Sequence, residues 1–136
     1  MNIEQFSVGQ SASFAKTVTE HDVYTFAGVT GDFNPAHVDE VYASGTSFKK
    51  RIAHGMLSAG LVSAVLGTKL PGPGSIYAGQ TLKFLAPVYI GDTVTATATV
   101  KEVIAERRRL ILTTECTNQD GVTVLSGEAT IFIPKD

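Results

Sequence analysis

The chain has 136 residues, 43% hydrophobic and 18% charged, with a formal net charge of −2. These proportions exclude a disordered polymer and a chain-wide basic surface for nucleic acid. The length fits a single domain over residues 1–136, whose core stands without disulfide or metal staples. The lone Cys116 leaves no internal disulfide and no zinc site built on several thiolates. The opening MNIEQFSVGQ has neither the basic start nor the apolar run of a signal peptide. The longest uncharged stretch, 52–68, is interrupted by His54, Ser58 and Ser63, which favours a buried helix over a membrane span. A cytoplasmic protein without membrane association is expected.

Residues 12–18 fit a strand. Thr19 with Asp22 three places on forms an N-terminal capping pattern, and Val23, Phe26, Ala27 and Thr30 then repeat on one helix face. Asn34-Pro35 predicts a second helix start, running to about Ala43. From about His54 to Leu70 the pattern is helical and apolar on nearly every side, which predicts a helix enclosed all round. LPGPG at 70–74 stops it. Strands follow over about 75–86, 92–105, 108–118 and 122–133, with Val94, Ala96, Ala98 and Val100 alternating with threonines. The turns between them are too short for crossover helices, so the sheet is expected to be antiparallel. The fold class is α+β, with a curved five-stranded sheet around one long helix.

The densest chemistry lies in Gly31-Asp32-Phe33-Asn34-Pro35-Ala36-His37. Asp32 precedes a helix and His37 sits in its first turn, so a carboxylate and an imidazole share a stiff frame. Such a pair is the minimum kit for activating water. Taken alone it also reads as a helix cap beside a scaffold imidazole. A second feature is Arg51-Ile52-Ala53-His54-Gly55-Met56, which leads into the apolar helix. A glycine there bares a backbone N–H that can stabilise a carbonyl oxygen gaining charge, or it merely permits close packing. His54 reads as structural rather than catalytic.

Together, GDFNPAHVDEVYA, IAHGML and PGPGSIYAGQTLKFLAPVYIGDTV strongly resemble the MaoC-like (R)-specific enoyl-CoA hydratases over nearly the whole chain. The resemblance implies a single hot dog domain, paired into a homodimer, that adds water reversibly across a trans-2-enoyl-CoA. It implies Asp32 and His37 as the catalytic dyad and Gly55 as amide donor to the thioester carbonyl. Ser63 would orient a partner or water, and Asn34 is expected at the substrate. No metal and no cofactor are expected, coenzyme A being part of the acyl-CoA substrate. Lys49-Lys50-Arg51 are placed to meet its phosphates, whereas Arg107-Arg108-Arg109 read as a solvated hairpin tip. Leu66 reads as core or acyl-tunnel lining, and Tyr77 and Phe84 as core or dimer interface. Three alternatives stay open: a dehydratase of carrier-protein thioesters, a hot dog thioesterase, and a noncatalytic acyl-CoA-binding module. The intact dyad and Gly55 argue against the last.

Overall fold

A computed structural model describes all residues from Met1 to Asp136. In chain order they form β1 (Ser11–Thr17), α1 (Glu20–Thr30), α2 (Pro35–Val38), α3 (Glu40–Ser44), α4 (Gly55–Thr68), β2 (Ile76–Gln80), β3 (Lys83–Phe84), β4 (Thr93–Ile104), β5 (Arg109–Thr117) and β6 (Thr123–Phe132). The sheet order is β1-β4-β5-β6-β2, with β3 also on β6, and every pairing is antiparallel. Helix α4 lies against β1, β4, β5 and β6. The period-two pattern of β4 explains the seat: Val94, Ala96, Ala98 and Val100 are buried, and the two alanines leave room for larger helix side chains. Leu57, Leu61, Val62, Val65 and Leu66 of α4 join them in one core cluster. Leu66 is thereby a core residue.

The helix starts behave as their sequences dictate. Thr19 Oγ1 accepts the Asp22 N–H at 3.1 Å, and the Asp22 carboxylate accepts the Thr19 N–H at 2.9 Å. Gly31, at φ +82°, ends α1 in the left-handed region where a side chain is disfavoured. The expected helix from Pro35 to Ala43 is two short ones. Asp39 closes α2 by donating its N–H to Pro35 O, then opens α3 by accepting the Tyr42 N–H at 3.1 Å. One aspartate serves as both end and start.

Three expectations change. The sheet has six strands rather than five, because the stretch expected as one strand over 75–86 breaks between β2 and β3. The cause is at Gly127, where a Cβ would lie 1.8 Å from the Thr81 carbonyl oxygen. Thr81 donates its N–H to Glu128 O at 2.9 Å and its Oγ1, in place of its carbonyl, accepts the Glu128 N–H at 3.0 Å, so the ladder is interrupted there although β3 resumes on β6 in the register of β2. Helix α4 is not enclosed all round: Gly60, Ser63 and Gly67 are exposed, since the chain's one sheet covers one side. The arginine run is not simply solvated either. Arg108 donates to the carbonyls of Ile133 at 2.6 Å and Pro134 at 2.8 Å, tying down the end of the chain. No helix is long and apolar enough to cross a membrane.

Candidate active site

The segment from Gly31 to His37 links α1 to α2 through a turn held by its own polar atoms. The Asp32 N–H donates to Thr30 Oγ1 at 3.2 Å, and Asp32 Oδ1 accepts the Asn34 N–H at 3.2 Å. One carboxylate oxygen is therefore engaged locally and the other is left for chemistry. Asn34 is the cap of α2: its side-chain oxygen accepts the Ala36 N–H at 3.0 Å and its carbonyl accepts the His37 N–H at 2.9 Å.

Residues 51–54 run alongside as a strap. Ile52 donates its N–H to Ala36 O at 3.1 Å, Ala53 donates to Val88 O at 2.7 Å, and Ile52 forms a bridge with Tyr89. His37 Nδ1 lies 2.7 Å from Ile52 O. A carbonyl only accepts, so Nδ1 carries the hydrogen and, in the neutral ring, Nε2 keeps its lone pair as a base. His37 is buried and the strap fixes its plane.

Helix α4 begins at Gly55, with His54 as its cap residue. Gly55 N–H has no partner within the chain, as expected for a first-turn amide whose cap side chain offers no acceptor. Above it lies the Phe84 ring, whose nearest carbons are 2.7 Å from where a Cβ on residue 55 would sit. Glycine lets the Phe84 ring lie this close, and its backbone angle is not the reason for it.

Asp32, His37 and Gly55 all border one cavity of about 440 Å³, walled mainly by apolar groups including Met56, Phe84 and Leu125. That volume suits a small organic ligand. The structure thus brings together three of the expected residues. Two others lie elsewhere: Asn34 caps α2, and Ser63 is on the exposed side of α4, neither lining the cavity. Ser58, one turn nearer the helix start, lines it instead and is buried. Phe84, read as core or interface, is 54% exposed and forms part of the wall.

A ring nitrogen of His54 also lies within 4.8 Å of a carboxylate oxygen of Asp32 and a ring nitrogen of His37. These three are the chain's one grouping of side chains able to ligate an ion. The two imidazoles, however, are packed on each other with centroids 3.9 Å apart, rather than fanned about a common point. Of the basic run, Arg51 is committed: it donates to Glu20 at 2.5 Å and Glu40 at 2.9 Å. These carboxylates hold its guanidinium above the ordinary arginine range. Lys49 and Lys50 follow Phe48, which lines the cavity, in sequence; Lys50 lies 5.2 Å over the Tyr89 ring and lines a smaller neighbouring pocket with Glu40 and Arg51.

A long helix laid on a strongly paired antiparallel sheet, with an Asp–His pair at one cavity beside the helix start, defines a hot dog protein. Its solved likenesses share this class. The unliganded R-hydratase of Pseudomonas aeruginosa superposes with a TM-score of 0.93 at 45% identity, covering 99% of this chain and 86% of that one. The (R)-hydratase of Aeromonas caviae superposes with a TM-score of 0.93 at 42% identity, covering 96% of this chain and 99% of that one. An (R)-specific enoyl-CoA hydratase of Rhodospirillum rubrum is 60% identical over 131 residues, 96% of this chain and 90% of the relative. Residues 5–121 match the MaoC like domain model, and the chain belongs to that family.

Proposed function

We propose that the protein is an (R)-specific enoyl-CoA hydratase, a hydro-lyase that adds water to trans-2-enoyl-CoA with syn geometry to give the (R)-3-hydroxyacyl thioester. The observation that carries this reading is the meeting of the Asp32 carboxylate, the His37 imidazole and Gly55, whose N–H is unpartnered, at one cavity. A water held between Asp32 and His37 loses a proton to the dyad as its oxygen bonds to C3. The electron pair moves toward the thioester oxygen, where the Gly55 N–H stabilises the enolate-like charge. The dyad then returns a proton to C2 from the same side, so it ends as it began. Acid–base assistance supplies about 10² to 10⁴ and one amide donor about 10² to 10³, so neither carries the rate alone. The reaction invokes no metal and no cofactor.

Coenzyme A rather than a carrier protein as the thioester carrier is supported by the names of the relatives at 60% and 42% identity, both (R)-specific enoyl-CoA hydratases. Lys49 and Lys50 meet its phosphates, Arg51 being spent on Glu20 and Glu40. The enzyme acts in the cytoplasm as a homodimer. In it the second copy covers the open side of α4, which gives Ser63 a role in orienting a partner, while Asn34 serves the substrate by shaping the turn that carries Asp32.

The test follows loss of the conjugated enoyl thioester of crotonyl-CoA, with chiral analysis of the product. Expected is (R)-3-hydroxybutyryl-CoA, with Asp32→Asn and His37→Ala each folded and slower by about 10² to 10⁴. An (S) product, release of free thiol, or full activity in both variants overturns the assignment.

A further inference from the structure

His54 is the most enclosed polar side chain of the site, at 2% exposure, and nothing in the reaction above uses it. Its Nε2 lies 2.9 Å from the main-chain oxygen of Asp32. Since that oxygen only accepts, Nε2 carries the hydrogen and donates it. The opposite nitrogen, Nδ1, is buried without any partner. A buried N–H with no acceptor would be far costlier than a bare lone pair among ring faces, so Nδ1 holds no hydrogen. On one side the ring packs against His37, with centroids 3.9 Å apart and planes 33° apart. It also packs against Phe26 of α1, at 4.6 Å.

These contacts join parts of the site that are otherwise tied only locally. The turn bearing Asp32 is held by hydrogen bonds to Thr30, Gly31 and Asn34, all within two residues. The bond from His54 reaches across 22 positions and references that turn to the start of α4. The ring of His37 is held in its plane by Ile52 O and against tilting by the His54 face. The next residue after His54 is Gly55, whose amide is the proposed oxyanion donor. One side chain thus abuts both members of the dyad and adjoins the third group.

We infer that His54 is a positioning residue, whose N–H to the Asp32 carbonyl and whose ring face on His37 set the dyad in register with the Gly55 amide. The inference rests on the hydratase reading above. Its action is indirect: it touches the groups that act, and displacement of such groups by an ångström lowers rates by about 10².

Two substitutions separate its parts. His54→Phe keeps a ring face and loses the donor; His54→Gln puts an amide N–H at similar reach and loses the ring. With crotonyl-CoA, His54→Phe is expected to lower kcat by about ten- to a hundredfold while KM changes less than about twofold. His54→Gln is expected to recover a substantial part of that loss, which a residue needed only for packing would not do. In an Asp32→Asn background His54→Phe is expected to add little further loss, because it acts through a dyad already disabled.

A folded His54→Phe enzyme with wild-type kcat overturns the inference, as does a loss expressed in KM alone or fully additive with Asp32→Asn. Should the phenylalanine variant not fold, nitrogen NMR of the wild-type imidazoles decides: His54 is expected with its hydrogen on Nε2 and a bare Nδ1. A hydrogen on Nδ1 overturns it. A wild-type protein inactive on enoyl-CoA fails the hydratase reading instead, and the NMR result still stands or falls by itself.

Discussion

Phe84 and Gly55 meet so closely that the side chain missing from residue 55 is as much a part of the site as those present. An alanine Cβ would press into the Phe84 ring, whose carbons sit 2.7 Å from that point. The ring is more than half exposed and free to swing aside, so Gly55→Ala should fold with a nearly unchanged melting temperature. The displaced ring opens the cavity wall and admits water beside the amide donor. Activity on crotonyl-CoA is expected to fall at least about tenfold, and Phe84→Leu in the same background to restore part of it. Cys116 gives a different kind of test. Burial, with a smaller push from Glu115, raises its thiol from an ordinary 9.0 to about 12. Below about pH 9 the thiol is neutral in folded and unfolded chains alike, and its contribution to stability is intact. As pH climbs through that value toward 12 the unfolded chain ionises first, so stability is lost. Urea midpoints at pH 8 and 10.5 should therefore drop further for wild type than for Cys116→Ala, whatever the variant's baseline. At this scale the meeting of Asp32, His37 and Gly55 at one cavity was legible because a turn before a helix, a first-turn residue and a helix start are local features, and the motifs that carry them resemble a known family. His54 was not, since its meaning lies in contacts with Phe26, Asp32 and His37 that only the folded chain makes.

Elements were readable wherever one periodicity ruled them. The sequence places strands at 12–18, 92–105, 108–118 and 122–133, and the observed β1, β4, β5 and β6 differ by about a residue at each end. The break between β2 and β3 escaped because its cause is 46 positions away, in the bare face of Gly127. The split of α2 from α3 escaped for the opposite reason: Asp39 satisfies both patterns, and the helical spacing runs through it undisturbed. Gly127 supplies the test. A methyl group there cannot be relieved by a flexible side chain, since the obstructing atom is the Thr81 carbonyl oxygen. Gly127→Ala is expected to cost about 1–3 kcal/mol or more, with the close approach at Thr81 lost before the rest of the sheet. Denaturant unfolding measures the cost. Hydrogen exchange shows the order: the amides of Thr81 and Glu128 should lose protection ahead of those in β4 and β5.

The whole molecule leaves apolar surface that one copy does not hide. Edge strand β2 has no neighbour on its outer side, and there Ile76 is 51% and Tyr77 42% exposed. An unpaired edge carrying such residues is a template for another strand, and in a homodimer the other strand is the same one, run antiparallel across a two-fold axis. The open face of α4, with Gly60, Ser63 and Gly67, is the second uncovered surface, and small residues there let another backbone approach. Both features support the homodimer proposed above, and a net charge of only −2 opposes it weakly. Because a two-fold pairing sets the five-residue β2 against itself, Ile76→Lys would place two like charges within about one strand length of each other in every dimer and bury both at its seam. Wild type is expected to sediment at twice the 14.4 kDa chain mass and Ile76→Lys at the single-chain mass, with unchanged circular dichroism. If the partner completes the site over Ser63, the monomeric variant also loses activity in step with its loss of assembly. A wild-type protein that sediments as a single chain removes the dimer and leaves Ser63 a surface residue. A monomeric Ile76→Lys that keeps full activity shows instead that one copy of Asp32, His37 and Gly55 suffices.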